Sequence, residues 1–231
     1  WFGYVVNDYW DAPFDAGDEA KARTNFFVRH AVAPNQALMA AIGISAFLLI
    51  AFAQFGYQGV VALAIYLFIM WSYSAPPLHF KSRPVWGLVI HALFAQPYPY
   101  VVCLVLIGAA WTPLDLAVIA FTCLAALAGQ LEQQIRDLAI DSETGRTFTT
   151  QVGSKTAAAF LRVVTTTLVL LVLLALADGT VPLYLVPYGL LALPTAVYRL
   201  AISRWQRRPP RLVYVSMIVA LLYTLWGFLN F

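Results

Sequence analysis

Uncharged apolar stretches alternate with short polar segments along the whole chain. A bilayer core about 30 Å thick requires about 20 apolar residues of helix, so each such stretch predicts one transmembrane helix. The predicted spans cover residues 37–55, 59–76, 85–108, 113–131, 156–177, 181–201 and 212–231. Two prolines in the segment Gln96-Pro97-Tyr98-Pro99 predict a break in the third of these helices near the middle of the membrane. The pattern therefore predicts an all-α fold, a polytopic bundle of about seven transmembrane helices.

The positions of the cations give an independent test of this topology. All 14 Lys and Arg residues fall in the segments 21–29, 81–83, 136–162 and 199–211. These segments are alternate connections of the predicted bundle, and the other connections contain no cation. Because Lys and Arg are enriched in cytoplasmic loops of membrane proteins, we expect an integral, multi-pass protein whose cation-bearing loops face the cytoplasm.

Composition supports a membrane protein and excludes other classes. Hydrophobic residues make up 61% of the chain and charged residues 11%, against about 45–50% and about 25% in soluble proteins. The net charge of +3 comes with cations confined to alternate connections, which argues for membrane topology and against nucleic-acid binding. Cys103 and Cys123 lie in apolar runs without the spacing of a disulfide framework or a metal site. The length predicts a single domain over residues 1–231.

Two polar segments repeat one arrangement of oxygen-bearing side chains. The first reads NDYWDAPFD from residue 7, and the second reads QQIRDLAID from residue 133. Residues spaced four apart lie along one face of a helix. The aligned residues are Asn7, Asp11 and Asp15 in the first segment and Gln133, Asp137 and Asp141 in the second, and Asp8 adds a further acid. Four predicted spans separate the two clusters, so the repetition indicates an internal duplication.

The chemistry of these side chains points to a divalent cation. Carboxylate and amide oxygens are hard ligands suited to Mg²⁺, which prefers a few protein oxygens together with oxygens of a substrate phosphate. Two facing clusters would hold about two ions and, through them, a diphosphate. The alternative is that these acids are solvated loop charges. Repetition of the spacing and the position of both clusters at span ends, where carboxylates repel one another without a cation, argue against it.

A third polar segment lies between the two acidic clusters. It reads YSAPPLHFKSR from Tyr73 to Arg83, and its Pro-Pro pair predicts the end of a helix. Lys81 and Arg83 are therefore expected in a short loop on the same side of the membrane as the acids. Anchoring the loop at the membrane surface is the alternative role for both cations.

The segments NDYWDAPFD and QQIRDLAID, with YSAPPLHFK between them, resemble the motifs of the UbiA superfamily of intramembrane prenyltransferases. The resemblance implies a fold of nine transmembrane helices around a central cavity, with the first motif just after the second helix. It therefore also implies that the domain present here lacks the family's first one to two helices. Mg²⁺ is the implied cofactor.

The resemblance also implies roles for individual residues. The residues expected to bind the two Mg²⁺ ions are Asn7, Asp8, Asp11 and Asp15 for one, and Gln133, Asp137 and Asp141 for the other. The cations expected to contact the diphosphate are Lys81, Arg83, Arg23 and Arg146. Tyr73 is expected to face the allylic carbon and stabilise its developing positive charge. The implied catalytic residues are Asp11, Asp15, Asp137, Asp141, Lys81 and Tyr73.

The implied reaction moves a prenyl group from a prenyl diphosphate to a hydrophobic acceptor and releases diphosphate. The sequence departs from the family pattern at Arg23 to Val28 and at Gln133 and Gln134. Its YSAPPLxxK segment is more similar to members that act on large polycyclic or isoprenoid acceptors than to the 4-hydroxybenzoate enzymes. The acceptor therefore stays open among aromatic, polycyclic and isoprenoid compounds.

Two other classes of protein compete with this interpretation. A polytopic transporter or channel would use the repeated acids to line an ion path, and it predicts acids inside the spans. A membrane scaffold without catalytic activity is the third possibility. His91 lies inside a predicted span, where it either hydrogen-bonds within the bundle or lines the acceptor cavity.

Overall fold

The computed structural model describes residues 2–30, 32–139, 142, 147–201 and 210–230, which are helical with short connections. In this part of the chain no strand occurs, as the all-α prediction requires. The helices in chain order are α1 Phe2–Asp15, α2 Glu19–Ala22, α3 Phe26–Arg29, α4 Pro34–Ala53, α5 Gly56–Ser74, α6 Pro84–Phe94, α7 Pro97–Leu106, α8 Pro113–Arg136, α9 Phe148–Ala177, α10 Val186–Ala201 and α11 Pro210–Asn230. Two 3₁₀ turns, Phe80–Ser82 and Leu183–Leu185, precede α6 and α10.

The helices that cross the membrane agree closely with the predicted spans. Six stretches of the described chain are long and apolar enough to cross a membrane: Pro34–Ala53, Gly56–Ser74, Pro84–Leu106, Pro113–Arg136, Phe148–Ala177 and Leu183–Ala201. The seventh predicted span corresponds to α11, in which Tyr214–Gly227 forms a shorter apolar segment. A multi-pass helical bundle is thus confirmed.

Prolines determine where several helices begin. Pro34, Pro84, Pro97 and Pro113 each lie in the first turn of their helix, where the fixed φ suits the helix and the missing N–H has no intrahelical partner to lose. The predicted break in the third span is present, because α6 ends at Phe94 and α7 begins at Pro97.

The core of the bundle lies between α6, α8 and α9. Its buried residues are Leu88, Ala128, Leu131, Ile135, Ala157, Leu161 and Val164. α1 packs against α5, and α10 packs against α9 and α11. Large apolar side chains such as Phe47 and Ile50 of α4 are instead exposed on the outside of the bundle. In a membrane protein such side chains can face lipid at little cost, because the acyl chains of lipids are themselves apolar.

Near its beginning, α9 is kinked at Gly153. This residue has φ 80° and ψ 158°, a backbone conformation outside the helical region. A side chain would be strained at this φ, so glycine allows the chain to turn here. The kink separates the first turn of α9, which adjoins the second acidic cluster, from its long apolar portion.

Candidate active site

Side chains from both acidic clusters line one cavity of about 430 Å³ at the ends of α1, α5 and α8. The cavity brings together predicted site residues that are far apart in the sequence: Asn7, Asp11, Asp15, Tyr73, Lys81, Gln133 and Asp137. Asp11 and Asp137 therefore face a common space, as one shared ligand would require. This juxtaposition follows from the packing of α1 on α5 and of α6 on α8.

α1 presents the first acidic cluster along one side, as its spacing predicted. The helix runs from Phe2 to Asp15, so Asn7, Asp11 and Asp15 lie on successive turns. Gly3 allows α1 to approach α5 closely, because a Cβ atom there would lie 2.9 Å from the Met70 sulfur. The close packing fixes the cluster against the end of α5.

Lys81 connects the first cluster to the loop after α5. Its ammonium group forms an ion pair with Asp11 and donates a hydrogen bond of 3.3 Å to Asn7 Oδ1. Ser74 Oγ donates a second bond of 3.0 Å to the same Asn7 oxygen. Gly87 of α6 lies against the Lys81 turn, since a Cβ atom there would lie 3.2 Å from the Lys81 carbonyl oxygen. The loop after α5 thus places the Lys81 ammonium group in contact with Asn7 and Asp11, residues of the first acidic cluster.

Asn25 holds the first cluster from the other side, although neither the spacing of the acids nor the family resemblance pointed to this residue. Its Nδ2 donates to Asp15 Oδ2 at 2.9 Å and to the carbonyl oxygen of Asp8 at 2.8 Å. Its Oδ1 accepts a bond of 2.9 Å from the Phe27 N–H and caps α3. With only 3% of its surface exposed, Asn25 orients the Asp15 carboxylate. A signal existed, because Asn is a favoured residue at the start of a helix.

Negative charges lie close together in the first cluster and affect the pKa of one of its members, Asp8. Partial burial raises the pKa of Asp8, and the negative charges of Asp15 and then Asp11 raise it further, although Lys81 opposes the shift. Asp8 itself does not line the cavity. A divalent ion among these carboxylates would relieve the repulsion and favour their charged forms.

The second cluster keeps the helical spacing from Gln133 to Asp137, because the Asp137 N–H donates to the Gln133 carbonyl oxygen at 2.9 Å. α8 ends at Arg136, so Gln133 lies in its last turn and Asp137 is the residue that caps it, with φ −93° and ψ 7°. Asp137 accepts hydrogen bonds from Arg136 Nε at 2.9 Å and Nη2 at 3.2 Å. Asp141 lies outside the described residues, so the alignment of all three side chains stays a prediction.

Two further glutamines near the end of α8 also line the cavity. Gln134 is buried, and its Oε1 accepts hydrogen bonds from the backbone N–H and the hydroxyl of Thr149, at 3.3 Å and 3.4 Å. Gln130 Nε2 donates a bond of 3.4 Å to the Tyr73 hydroxyl. Gln134 thus joins α8 to α9, and Gln130 joins α8 to α5.

Of the remaining predicted cations, those that are described lie away from the cavity. Arg23 forms an ion pair with Glu19 on the exposed surface, and the Arg83 guanidinium lies 5.6 Å from the centre of the Phe80 ring. Arg146 lies outside the described residues. Lys21, which the resemblance did not assign, lines the cavity.

The cavity also has apolar walls. Met70 and Ile90 line it together with Tyr66 and Tyr73. Tyr66 precedes the end of α5 by about two helical turns, a distance of about 12 Å at 1.5 Å per residue. The space therefore reaches from the oxygen-lined helix ends toward the apolar interior of the bundle.

The donors present fit Mg²⁺ shared with a substrate. They are carboxylate and amide oxygens, which this ion prefers. Among the described residues no group of three or more His, Cys, Asp and Glu side chains forms a metal cage. A site completed by phosphate oxygens does not require such a cage.

The fold and the cavity define a membrane protein that can hold an anionic, metal-bound head group beside an apolar tail. The family model of the UbiA prenyltransferase family matches residues 1–228, and the chain belongs to this family. The resemblance seen in the two motifs is thus confirmed, and so is the prediction of a membrane prenyltransferase at the level of the family.

Two solved structures share the fold. One is a UbiA homolog from Archaeoglobus fulgidus bound to GPP and Mg²⁺, with 18% identity and a TM-score of 0.77. The other is a UbiA homolog from the same organism bound to DMAPP and Mg²⁺, with 19% identity and a TM-score of 0.77. In both comparisons the match covers 98% of this chain and 81% of the homolog. No curated protein matches the chain.

Proposed function

We propose that this protein transfers a prenyl group from a prenyl diphosphate to a hydrophobic acceptor within the membrane, in a reaction that requires Mg²⁺. The observation that carries the proposal is the single cavity lined by Asp11, Asp137 and Lys81 and continued by apolar walls. The two solved homologs support it, because GPP and DMAPP are prenyl diphosphates and both were bound with Mg²⁺.

The side chains of the cavity divide the work of binding the donor. Asn7, Asp11 and Asp15, with Asp8 behind them, are the proposed ligands of one ion, and Gln133, Asp137 and Asp141 of the other. When bound, Mg²⁺ neutralises charge on the diphosphate and makes it a better leaving group. Lys81 lies where its ammonium group can contribute positive charge to the same group.

Further cations would complete the diphosphate site. Lys21 is a candidate contact because it lines the cavity. Arg23, Arg83 and Arg146 stay proposed contacts, and Arg23 would have to leave Glu19 to reach the ligand. The cation-rich connections support a cytoplasmic position for this end of the bundle.

Tyr73 occupies the boundary between the charged end and the apolar walls. Its ring lines the cavity, and an aromatic face there would stabilise an allylic cation formed when diphosphate leaves. Enclosure by apolar helices would keep water away from that cation. The acceptor is proposed to be an aromatic, polycyclic or isoprenoid compound that enters from the membrane.

A transporter finds less support in the structure. In the described part of the chain, the acids inside spans are Asp115 and Glu132, and each has a partner that holds it. Asp115 accepts a bond of 2.6 Å from the Tyr100 hydroxyl, and Glu132 forms a buried ion pair of 2.8 Å with Arg199. Paired in this way, neither acid resembles a site on an ion path. A membrane scaffold without catalytic activity would not explain why residues of both acidic clusters line the same cavity.

The test is release of diphosphate from labelled GPP by the protein in lipid nanodiscs, with a lipid extract as the source of acceptor. We expect release with Mg²⁺ and none with EDTA, and a loss of about 1,000-fold in Asp11→Ala and in Asp137→Ala. Asp178→Ala is the control, because this acid is in the connection between α9 and α10, bonded to the Thr180 N–H at 2.8 Å. Unchanged release in both cluster variants would refute the proposal.

A further inference from the structure

One histidine lies in the apolar wall of the cavity, inside a membrane span. His91 belongs to α6, one turn before the break at Ala95, and its ring lines the cavity. An ionisable side chain at this depth is costly unless it has a partner or a function. Among the described residues no hydrogen bond to the His91 ring is found, so the simpler structural role is not supported.

His91 forms part of a small polar group in this otherwise apolar wall. The centre of its ring lies 6.4 Å from that of Tyr73, at an angle of 46°. The Tyr73 hydroxyl accepts a hydrogen bond from Gln130, which leaves its own proton available to a ligand. Three helices, α5, α6 and α8, thus direct one polar side chain each toward one part of the cavity.

We propose that the acceptor's nucleophilic atom binds among His91, Tyr73 and Gln130, and that His91 takes the proton the acceptor loses. This inference rests on the proposed function and deepens it. It adds a general base to the reaction and restricts the chemical class of the acceptor.

The reaction balances with these groups. The bond between the allylic carbon and the diphosphate oxygen breaks, and its electron pair leaves with diphosphate. An electron pair of the acceptor then forms the new bond to that carbon. An alcohol, a phenol or an unsaturated carbon must also lose one proton, which the neutral imidazole of His91 accepts. The imidazolium returns this proton to water after the product has left.

The need for a base distinguishes classes of acceptor. An ionised carboxylate has no proton to lose, so it would not require His91. An alcohol, a phenol or a carbon nucleophile would require it. We therefore infer that the product contains an ether or a carbon–carbon bond, both of which resist mild alkali, whereas an ester does not.

Two quantities test the proposal in nanodiscs that contain Mg²⁺, labelled GPP and a lipid extract: diphosphate released and label transferred to lipid. In His91→Gln, which retains a hydrogen-bonding group but is not a base, we expect transferred label per released diphosphate to fall about 100-fold. Release itself should change less than about threefold, with the label recovered as prenyl alcohol. A merely structural role would lower both quantities together.

His30→Gln is the matched control, because His30 is an exposed histidine at the end of α3. It should leave both quantities as in the unchanged protein. The inference would be overturned if His91→Gln transferred label fully, or if it lost release and transfer equally. It would also be overturned if mild alkali cleaved the product, or if the unchanged protein transferred label only to water. Absence of any Mg²⁺-dependent release by the unchanged protein would instead refute the proposed function.

Discussion

The two acidic clusters share a spacing in the sequence but are held in different ways. In the first cluster, Asn7 receives hydrogen bonds from Ser74 and Lys81, and Asp15 receives one from Asn25. These partners come from the end of α5, the turn after it and the segment before α3. In the second cluster, Asp137 is bonded to its own neighbour Arg136.

This difference indicates how much of each cluster exists before a ligand binds. The first is arranged by tertiary contacts, so its oxygens have defined positions in the ligand-free protein. In the described part of the chain the second relies on a local pair at the end of a helix. We therefore expect the ligand to complete the second cluster more than the first, and substitutions of supporting residues to affect the two clusters unequally.

The largest effect is expected from Lys81→Met. This change removes the cation that bridges Asn7 and Asp11 and that we place beside the diphosphate, so release of diphosphate should fall about 100- to 1,000-fold. Lys155→Met, at an exposed position of α9, should behave as the unchanged protein. Measuring kcat and KM for labelled GPP with both variants checks this prediction. A loss below about threefold would show that Lys81 does not act on the diphosphate.

An intermediate effect is expected from Asn25→Ala. Without the hydrogen bond from Asn25, the Asp15 carboxylate is free to rotate. Removing a group that orients a metal ligand typically lowers metal affinity by about 10- to 100-fold. The Mg²⁺ concentration for half-maximal release should rise by this factor. Asn35→Ala, at the exposed beginning of α4, serves as its control. An unchanged Mg²⁺ dependence would show that Asp15 needs no support.

The smallest effect is expected from Arg136→Gln. The Arg136–Asp137 pair is partly exposed, and such pairs contribute about 0.2–1 kcal/mol. The half-maximal Mg²⁺ concentration should therefore change by less than about fivefold. An effect larger than that of Asn25→Ala would reverse the comparison and identify the second cluster as the more rigid one.

The sequence alone determined the features that depend on local pattern. Apolar length placed the spans, and Pro97 placed the break between α6 and α7, because both act through the backbone of a few neighbouring residues. The four-residue spacing placed Asn7, Asp11 and Asp15 on one side of α1 for the same reason. The two motifs also identified the family, since residue type and order are properties of the chain itself.

Only the tertiary structure decided which side chains meet. Asn25 could not be assigned to Asp15, because this contact depends on how the segment before α3 packs against α1. Asp137 keeps a helical hydrogen bond to the Gln133 carbonyl oxygen, and only the packing of helices brings it to one cavity with Asp11. Periodicity describes one helix at a time, whereas the cavity arises from the angles and distances between helices, which no local pattern contains.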